Sequence, residues 1–286
     1  MGEFTACPRE ALRSAEARCG PVVLEEITDR RGSAVWKATG AVADAAIKYG
    51  CGEGAETTAR EAAVLGRLPG RTVRTGRTAE GFWYVTPWLD GPSTFQVFRP
   101  VRRGSEHRTP DAARTQVLAA AVHLSRAVAD LHSAGWIHGD LQPSHGIHNE
   151  WGAALIDFAW SWQQGAGTPP WSTFHGGITH LIAPELAASI TEGPQPVVPT
   201  ASSDVYALAG VLWTCTTGKW PLDYAAAGIP LNVGPVNRRA AIATGKIPLS
   251  PAASWPVLQD LLRPVLLSGP ADRPTAAELG TLVEGA

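Results

Sequence analysis

Apolar and polar positions in the first third of the chain follow the pattern of strands, and in the second half that of helices. Residues 21–27, PVVLEEI, read as a strand, 28–33, TDRRGS, as a turn, and 34–39, AVWKAT, as a second strand. Ahead of them, residues 8–20 predict a short helix that ends at Gly20, before Pro21. Further strands are expected over 45–49, AAIKY, and 81–86, GFWYVT. Between these two, Thr57 or Thr58 is expected to cap a helix running to about Leu68, with Glu61, Leu65 and Leu68 on one face. Residues 92–112, with Pro92, Arg102, Arg103, Gly104 and Pro110, predict a loop. From Asp111 to Ala134 apolar residues recur at Val117, Ala121, Leu124, Val128 and Leu131, an amphipathic helix closed by Gly135. Later, Ser202 or Ser203 is a natural cap for a helix reaching Trp213, and Thr275 with Glu278 forms a capping box.

The 286 residues suffice for one large domain or two lobes around buried cores. The chain is 44% hydrophobic and 17% charged, with 30 Gly and 23 Pro, which marks a globular protein with many loops. A net charge of −2 gives no electrostatic reason to expect nucleic acid or a membrane as partner. Cys7, Cys19, Cys51 and Cys215 are scattered without CxxC spacing and read as free thiols in a reducing compartment. The start, MGEFTACPREALRSAE, lacks the basic-then-apolar design of a signal peptide, and no run of 18 apolar residues occurs. A cytoplasmic location is expected. The Ala, Gly, Pro and Arg content suits a high-GC bacterial source.

Residues 136–161, WIHGDLQPSHGIHNEWGAALIDFAWS, carry the candidate chemistry. His138-Gly139-Asp140-Leu141 comes after the long helix, and His145 stands five residues beyond Asp140. After an Asn-Glu-Trp-Gly turn, Ala153-Ala154-Leu155-Ile156 leads into Asp157-Phe158-Ala159. This resembles the catalytic and metal-binding loops of the protein kinase superfamily, HRDLxxxN followed by DFG. Upstream, Ala45-Ala46-Ile47-Lys48 resembles the VAIK strand. Downstream, Ala183-Pro184-Glu185 resembles the APE motif, and Ser202–Trp213 resembles the family's central helix. The resemblance spans roughly residues 22–284. It implies an α+β, bilobal protein kinase-like fold: an N-terminal extension over 1–20, a small β-rich N-lobe over 21–86, a hinge over 87–91 and a larger α-helical C-lobe over 92–286.

It also implies roles. Asp140 orients the attacking hydroxyl or accepts its proton, and Asp157 holds Mg²⁺ against the phosphates of ATP. Lys48 positions those phosphates, and Glu61 is expected to pair with Lys48. With Thr86 as gatekeeper, the Pro87 carbonyl and the Leu89 N–H would bind adenine; proline keeps its carbonyl and loses only the N–H. Aligned on Val35, the GxGxxGxV loop has Thr28 and Arg30 in place of its first two glycines and Ser33 near the third. Backbone amides at Gly32 and Ser33 remain candidates for phosphate, with Arg30 or Arg31 adding charge, beside the alternative of an ordinary surface hairpin. An Asp near the start of the central helix is expected to bind the catalytic-loop backbone, and Arg273 to pair with Glu185.

Beside that degenerate loop, four substitutions depart from the pattern. Gly139 replaces the Arg before the catalytic Asp, so no requirement for activation-loop phosphorylation is expected. Gln142 replaces a Lys that contacts the γ-phosphate, and Ala159 replaces the Gly of DFG. His145 stands where Asn ligates a second Mg²⁺, although Mg²⁺ prefers oxygen and imidazole suits softer metals. His145 is therefore a ligand for an ion such as Mn²⁺, a partner of Asp140 beside a one-metal site, or a structural residue. A zinc site built on His138, His145 and His148 lacks a further Cys or paired ligand. Trp160, Trp162 and Trp171 are candidates for acceptor recognition or for packing.

The implied function is an ATP-dependent kinase transferring the γ-phosphoryl group to a hydroxyl, on Ser or Thr of a peptide or protein partner. A pseudokinase that acts as a binding module or scaffold is the alternative, and a small-molecule phosphotransferase the third. Phosphotransferases of the aminoglycoside type share HGDxxxxN, but their C-terminal halves usually lack the APE and DVYALG-like stretches.

Overall fold

In the first of two compact units, Met1–Leu89, strand alternation sorts the strands' side chains onto two faces of one antiparallel sheet. In this computed structural model the described residues are 4–103, 111–230, 232–251 and 255–285. The elements of the first unit are α1 (Arg9–Cys19), β1 (Val22–Arg30), β2 (Ser33–Gly40), β3 (Asp44–Cys51), α2 (Glu53–Leu65), β4 (Arg74–Arg77) and β5 (Gly81–Pro87). The strand order is β1-β2-β3-β5-β4. On one face, Trp36, Ile47 and Val85 stand in one cross-strand row and Ala34, Tyr49 and Trp83 in the next. Ala11, Ala15 and Cys19 of α1, all fully buried, pack on these rows. α1, within the stretch expected as an extension, thus shares the core of this unit. The opposite face carries the rows Val35–Lys48–Tyr84 and Lys37–Ala46–Thr86, and α2 lies over it.

Local details differ from the expectation. The turn expected over 28–33 shrinks to Arg31-Gly32, because β1 continues to Arg30 opposite Ser33. Both tip residues have positive φ, 53° and 71°, the geometry that matches strand twist in a two-residue hairpin. Thr57 and Thr58 do not cap α2 but lie inside it. The helix starts at Glu53, where Glu53 and Glu56 face the positive end of the helix dipole. β4, Arg-Thr-Gly-Arg, was not legible, since an exposed edge strand needs no apolar alternation.

The second unit, Asp90–Ala286, contains α3 (Thr94–Val97), α4 (Arg99–Arg103), α5 (Asp111–Ser133), β6 (Trp136–Ile137), β7 (Gly146–Asn149), β8 (Gly152–Leu155) and β9 (Trp162–Gln163). A 3₁₀ turn at Thr179–Leu181 precedes α6 (Pro184–Glu192), α7 (Ala201–Thr217), α8 (Pro235–Ala243), α9 (Pro256–Leu267) and α10 (Ala276–Glu284). Part of the loop expected over 92–112 is helical, because Ser93 and Gln96 make a capping box for α3; residues 104–110 lie outside the described ones.

At the centre, α7 is buried on all sides from Ser203 to Thr216, as its nearly unbroken apolar run allows. Its buried Thr214 and Thr216 hydroxyls donate to the carbonyls of Gly210 and Leu212 and so leave no orphan donor. The cap is Thr200, in a capping box with Ser203, and Ser202 instead donates to the Pro270 carbonyl. The Thr275–Glu278 capping box opens α10 as expected. Among the described residues no helix is long and apolar enough to cross a membrane.

Candidate active site

In the first unit, the sheet places Lys48 on the face covered by α2. Its Nζ lies 2.6 Å from Glu61 Oε2, and both side chains are largely buried. A buried ammonium needs such a partner, and a buried carboxylate equally so. Val35 and Ala46 lie on the same face, so an apolar strip borders the charged pair. At the far end of β3, the Trp88 N–H donates to the Asp44 carbonyl at 3.1 Å. Ala45 and Pro87 therefore form the next, non-hydrogen-bonded pair, whose backbone groups point away from each other. Proline costs the ladder nothing there, and its carbonyl turns away from β3. The boundary between the two units falls between Leu89 and Asp90.

In the second unit, α5 delivers the chain to β6, and one side chain of α7 holds the loop beyond that strand. Asp204 accepts from the backbone N–H groups of His138 at 2.7 Å and Gly139 at 2.9 Å, and contacts His132 Nε2 at 3.0 Å. His138 is fully buried. Its Nδ1 accepts the Asp140 N–H at 3.2 Å, so Nε2 carries the proton and donates to the Ile156 carbonyl at 3.1 Å. Burial pushes its pKa down to about 4 against the pull of Asp204, and the ring is neutral. A single imidazole thus ties the segment bearing Asp140 to the one bearing Asp157. The hairpin of β7 and β8 adds a second tie, from the Ile156 N–H to the His145 carbonyl at 3.0 Å.

The outcome is a cluster: Asp140, His145 and Asp157 each offer one ligand atom, all within 4.8 Å of one another. Asp157 adopts φ +65°, which an L residue holds only at a cost of roughly 1–3 kcal/mol. Gln142 Nε2 donates to Asp140 Oδ1 at 2.7 Å. His145 Nδ1 lies 2.8 Å from the Asp140 main-chain oxygen, which can only accept, so Nδ1 carries the proton. Its partner is thus the backbone of Asp140, not the carboxylate. The other nitrogen, Nε2, faces Asp157 Oδ2 at 3.5 Å. The two carboxylates suit Mg²⁺, whereas the imidazole nitrogen does not. The three histidines of the zinc idea are drawn to different partners, His138 to Ile156 and His148 to Thr94 Oγ1 at 2.8 Å.

Two glycines shape this cluster. Gly139 has φ +76°, and a Cβ there would meet the Trp160 carbonyl oxygen and Pro199. The absence of Arg at this position is thereby a packing requirement of this chain. A Cβ on Gly177 would run into the Asp140 carboxylate. Sequence reasoning missed Gly177, whose role depends on a contact across 37 residues of chain that no local pattern encodes. The tryptophans pack: Trp171 is buried, donates from Nε1 to the Val197 carbonyl at 2.9 Å, and meets Trp160 and Phe174 ring to ring.

No family model matches the chain. It is 32% identical over 136 residues to a putative cyclin-dependent kinase F-2 of Oryza sativa subsp. japonica, covering 43% of this chain and 39% of that protein. It is 25% identical over 229 residues to a probable serine/threonine-protein kinase PkwA of Thermomonospora curvata, covering 77% of this chain and 27% of that protein. These similarities support a relationship to the protein kinase superfamily. The mixed α+β architecture with its five-stranded antiparallel sheet is compatible with it. The chain spans less than half the length of each of these relatives.

Proposed function

We propose that the protein transfers the γ-phosphoryl group of ATP to a hydroxyl, with Ser or Thr of a peptide or protein as acceptor. The observation that carries this reading is the meeting of Asp140 and Asp157 in one cluster. Asp140 lies against Gln142, whose amide donates to one carboxylate oxygen and so orients the group. The acceptor oxygen bonds to the γ-phosphorus as the bond to the β–γ bridging oxygen breaks. The hydroxyl proton passes to Asp140, and ADP leaves with the bonding pair. Asp157, with His145 beside it, would hold the divalent cation, which supplies neutralisation of phosphate charge. In the first unit, Lys48 would charge-pair the phosphates while Glu61 keeps its ammonium in place. The Pro87 carbonyl and Leu89 N–H would take the adenine edge, and the amides of Gly32 and Ser33 remain candidates for phosphate. Catalysis in such a site is positioning and electrostatics.

The test is a melting-temperature shift with ATP and metal, followed by a transfer assay on Ser/Thr peptides. A ligand at 100 times its Kd stabilises by about 2.7 kcal/mol, a readable shift. Asp140→Asn should keep that shift and lower transfer on the order of 10²–10⁴-fold. Unchanged turnover in that variant would remove Asp140 from the mechanism. A shift with no transfer to any acceptor would leave a binding module of the pseudokinase kind.

A further inference from the structure

The Asp140–His145–Asp157 cluster has a donor set that does not match Mg²⁺. The mismatch starts from one hydrogen bond. The proton on His145 Nδ1 is committed to the Asp140 carbonyl, as in metal-binding histidines whose second nitrogen is oriented by a backbone oxygen. That leaves Nε2 facing Asp157 Oδ2 at 3.5 Å, with the imidazole 9% exposed. A ring nitrogen and a carboxylate oxygen that face each other at this distance can share one positive species between them. The 3.5 Å separation is less than two metal–ligand bonds of about 2.1 Å end to end, so a single cation can touch both atoms.

We infer that the cation held by Asp157 and His145 is a first-row transition ion, Mn²⁺ first among them, rather than Mg²⁺. This rests on the phosphotransfer reading above for its purpose, but not for its geometry. Mg²⁺ takes oxygen ligands and dehydrates reluctantly, so an imidazole in its first shell is a loss. Mn²⁺ shares the preference of Mg²⁺ for carboxylate oxygen and also accepts nitrogen. The Asp140 carboxylate lies within the same 4.8 Å, so the surroundings of the ion are one nitrogen among oxygens, without thiolate.

The experiment uses the whole chain with Mn²⁺ alone, followed by the loss of the free-ion electron paramagnetic resonance signal. Mg²⁺ is then titrated in as competitor, and the bound ion is examined by pulsed resonance for coupling to nitrogen. The expected result is saturable Mn²⁺ binding that Mg²⁺ displaces poorly, with nitrogen coupling in the unsubstituted protein. His145→Asn should remove the coupling and lower Mn²⁺ affinity at least about tenfold. Mg²⁺ that competes as an equal, or bound Mn²⁺ without nitrogen coupling, overturns the inference. The wild-type spectrum decides this even if the variant folds poorly. The ATP melting shift is measured in parallel. An intact shift beside equal Mg²⁺ competition overturns the ion preference alone, whereas no shift with either metal overturns the phosphotransfer reading.

Discussion

Arg273 clasps Glu185 with two terminal nitrogens, at 2.5 and 2.8 Å, across 88 residues of chain. The guanidinium side chain is 1% exposed and also meets the Ser202 carbonyl at 3.2 Å. It thereby joins the first turn of α6, the start of α7 and the segment leading into α10. Glu185→Ala leaves a buried guanidinium without its carboxylate, which should cost about 3 kcal/mol. Denaturant unfolding measures this, and a loss below about 0.5 kcal/mol would show the bridge to be dispensable.

Lys48 and Glu61 pose the same question in the first unit. Lys48→Met should destabilise by about 3 kcal/mol, because Glu61 remains as a buried charge. Adding Glu61→Leu to Lys48→Met should recover part of that loss, a coupling of about 0.5–3 kcal/mol in a double-mutant cycle. Simple additivity would mean that the two side chains do not support one another. Nucleotide binding should be weakened in both the single and the double variant, since neither restores the ammonium.

Gly177 gives a prediction that separates chemistry from stability. Its φ lies outside the range in which side chains are strained, so the obstacle to Gly177→Ala is the Asp140 carboxylate itself. Displacing that carboxylate by about 1 Å should lower transfer roughly 100-fold. The melting shift with ATP should persist, as Gly177 belongs to none of the groups assigned to the nucleotide. A variant with full transfer rates would show that Asp140 tolerates the displacement.

Acid should loosen the fold through two histidines that are not members of the Asp140–His145–Asp157 cluster. Burial, reinforced by His123, lowers the pKa of His148 to about 4, and burial, reinforced by Arg238, lowers that of His180 to about 4. His148 keeps its Nδ1 buried without a hydrogen-bond partner, and His180 stacks on Trp220. In the unfolded chain both titrate near 6.5. Between pH 6.5 and 4 the unfolded state binds more protons, so their contribution is complete above 6.5 and is lost as pH falls toward 4. Melting temperatures from pH 7 to 4 should fall accordingly. His148→Gln, which can still bond Thr94, should flatten the slope by up to one proton; an unchanged slope would exonerate His148.

Much of the site was readable because its residues are chemically conspicuous in their local context. A lysine amid apolar strand residues asks for a buried partner, and Glu61 on the apolar face of the next helix answers it. Asp140 and Asp157 flank a hairpin announced by its turn residues, and Glu185 and Arg273 stand in recognisable short words. The long helix after Asp111 was legible from its period alone. Boundaries were less so. Thr57 and Thr58 suggested a cap, but the chain's own turn at Gly52 lets α2 begin a full turn earlier. Ser202 and Ser203 suggested another, but Thr200 has the extended backbone a cap requires.

Which residues are charged or chemically conspicuous, and in which order they come, is a property of the sequence alone, since it depends on residue type and spacing. Tertiary structure decided what each one faces. That α1 is part of the core, that Gly177 abuts Asp140 and that His145 offers Nε2 to Asp157 all depend on contacts between segments far apart in the chain. Side-chain direction and ring tautomer are set by which acceptor happens to lie within 3 Å, and that distance is a property of packing, not of sequence neighbours.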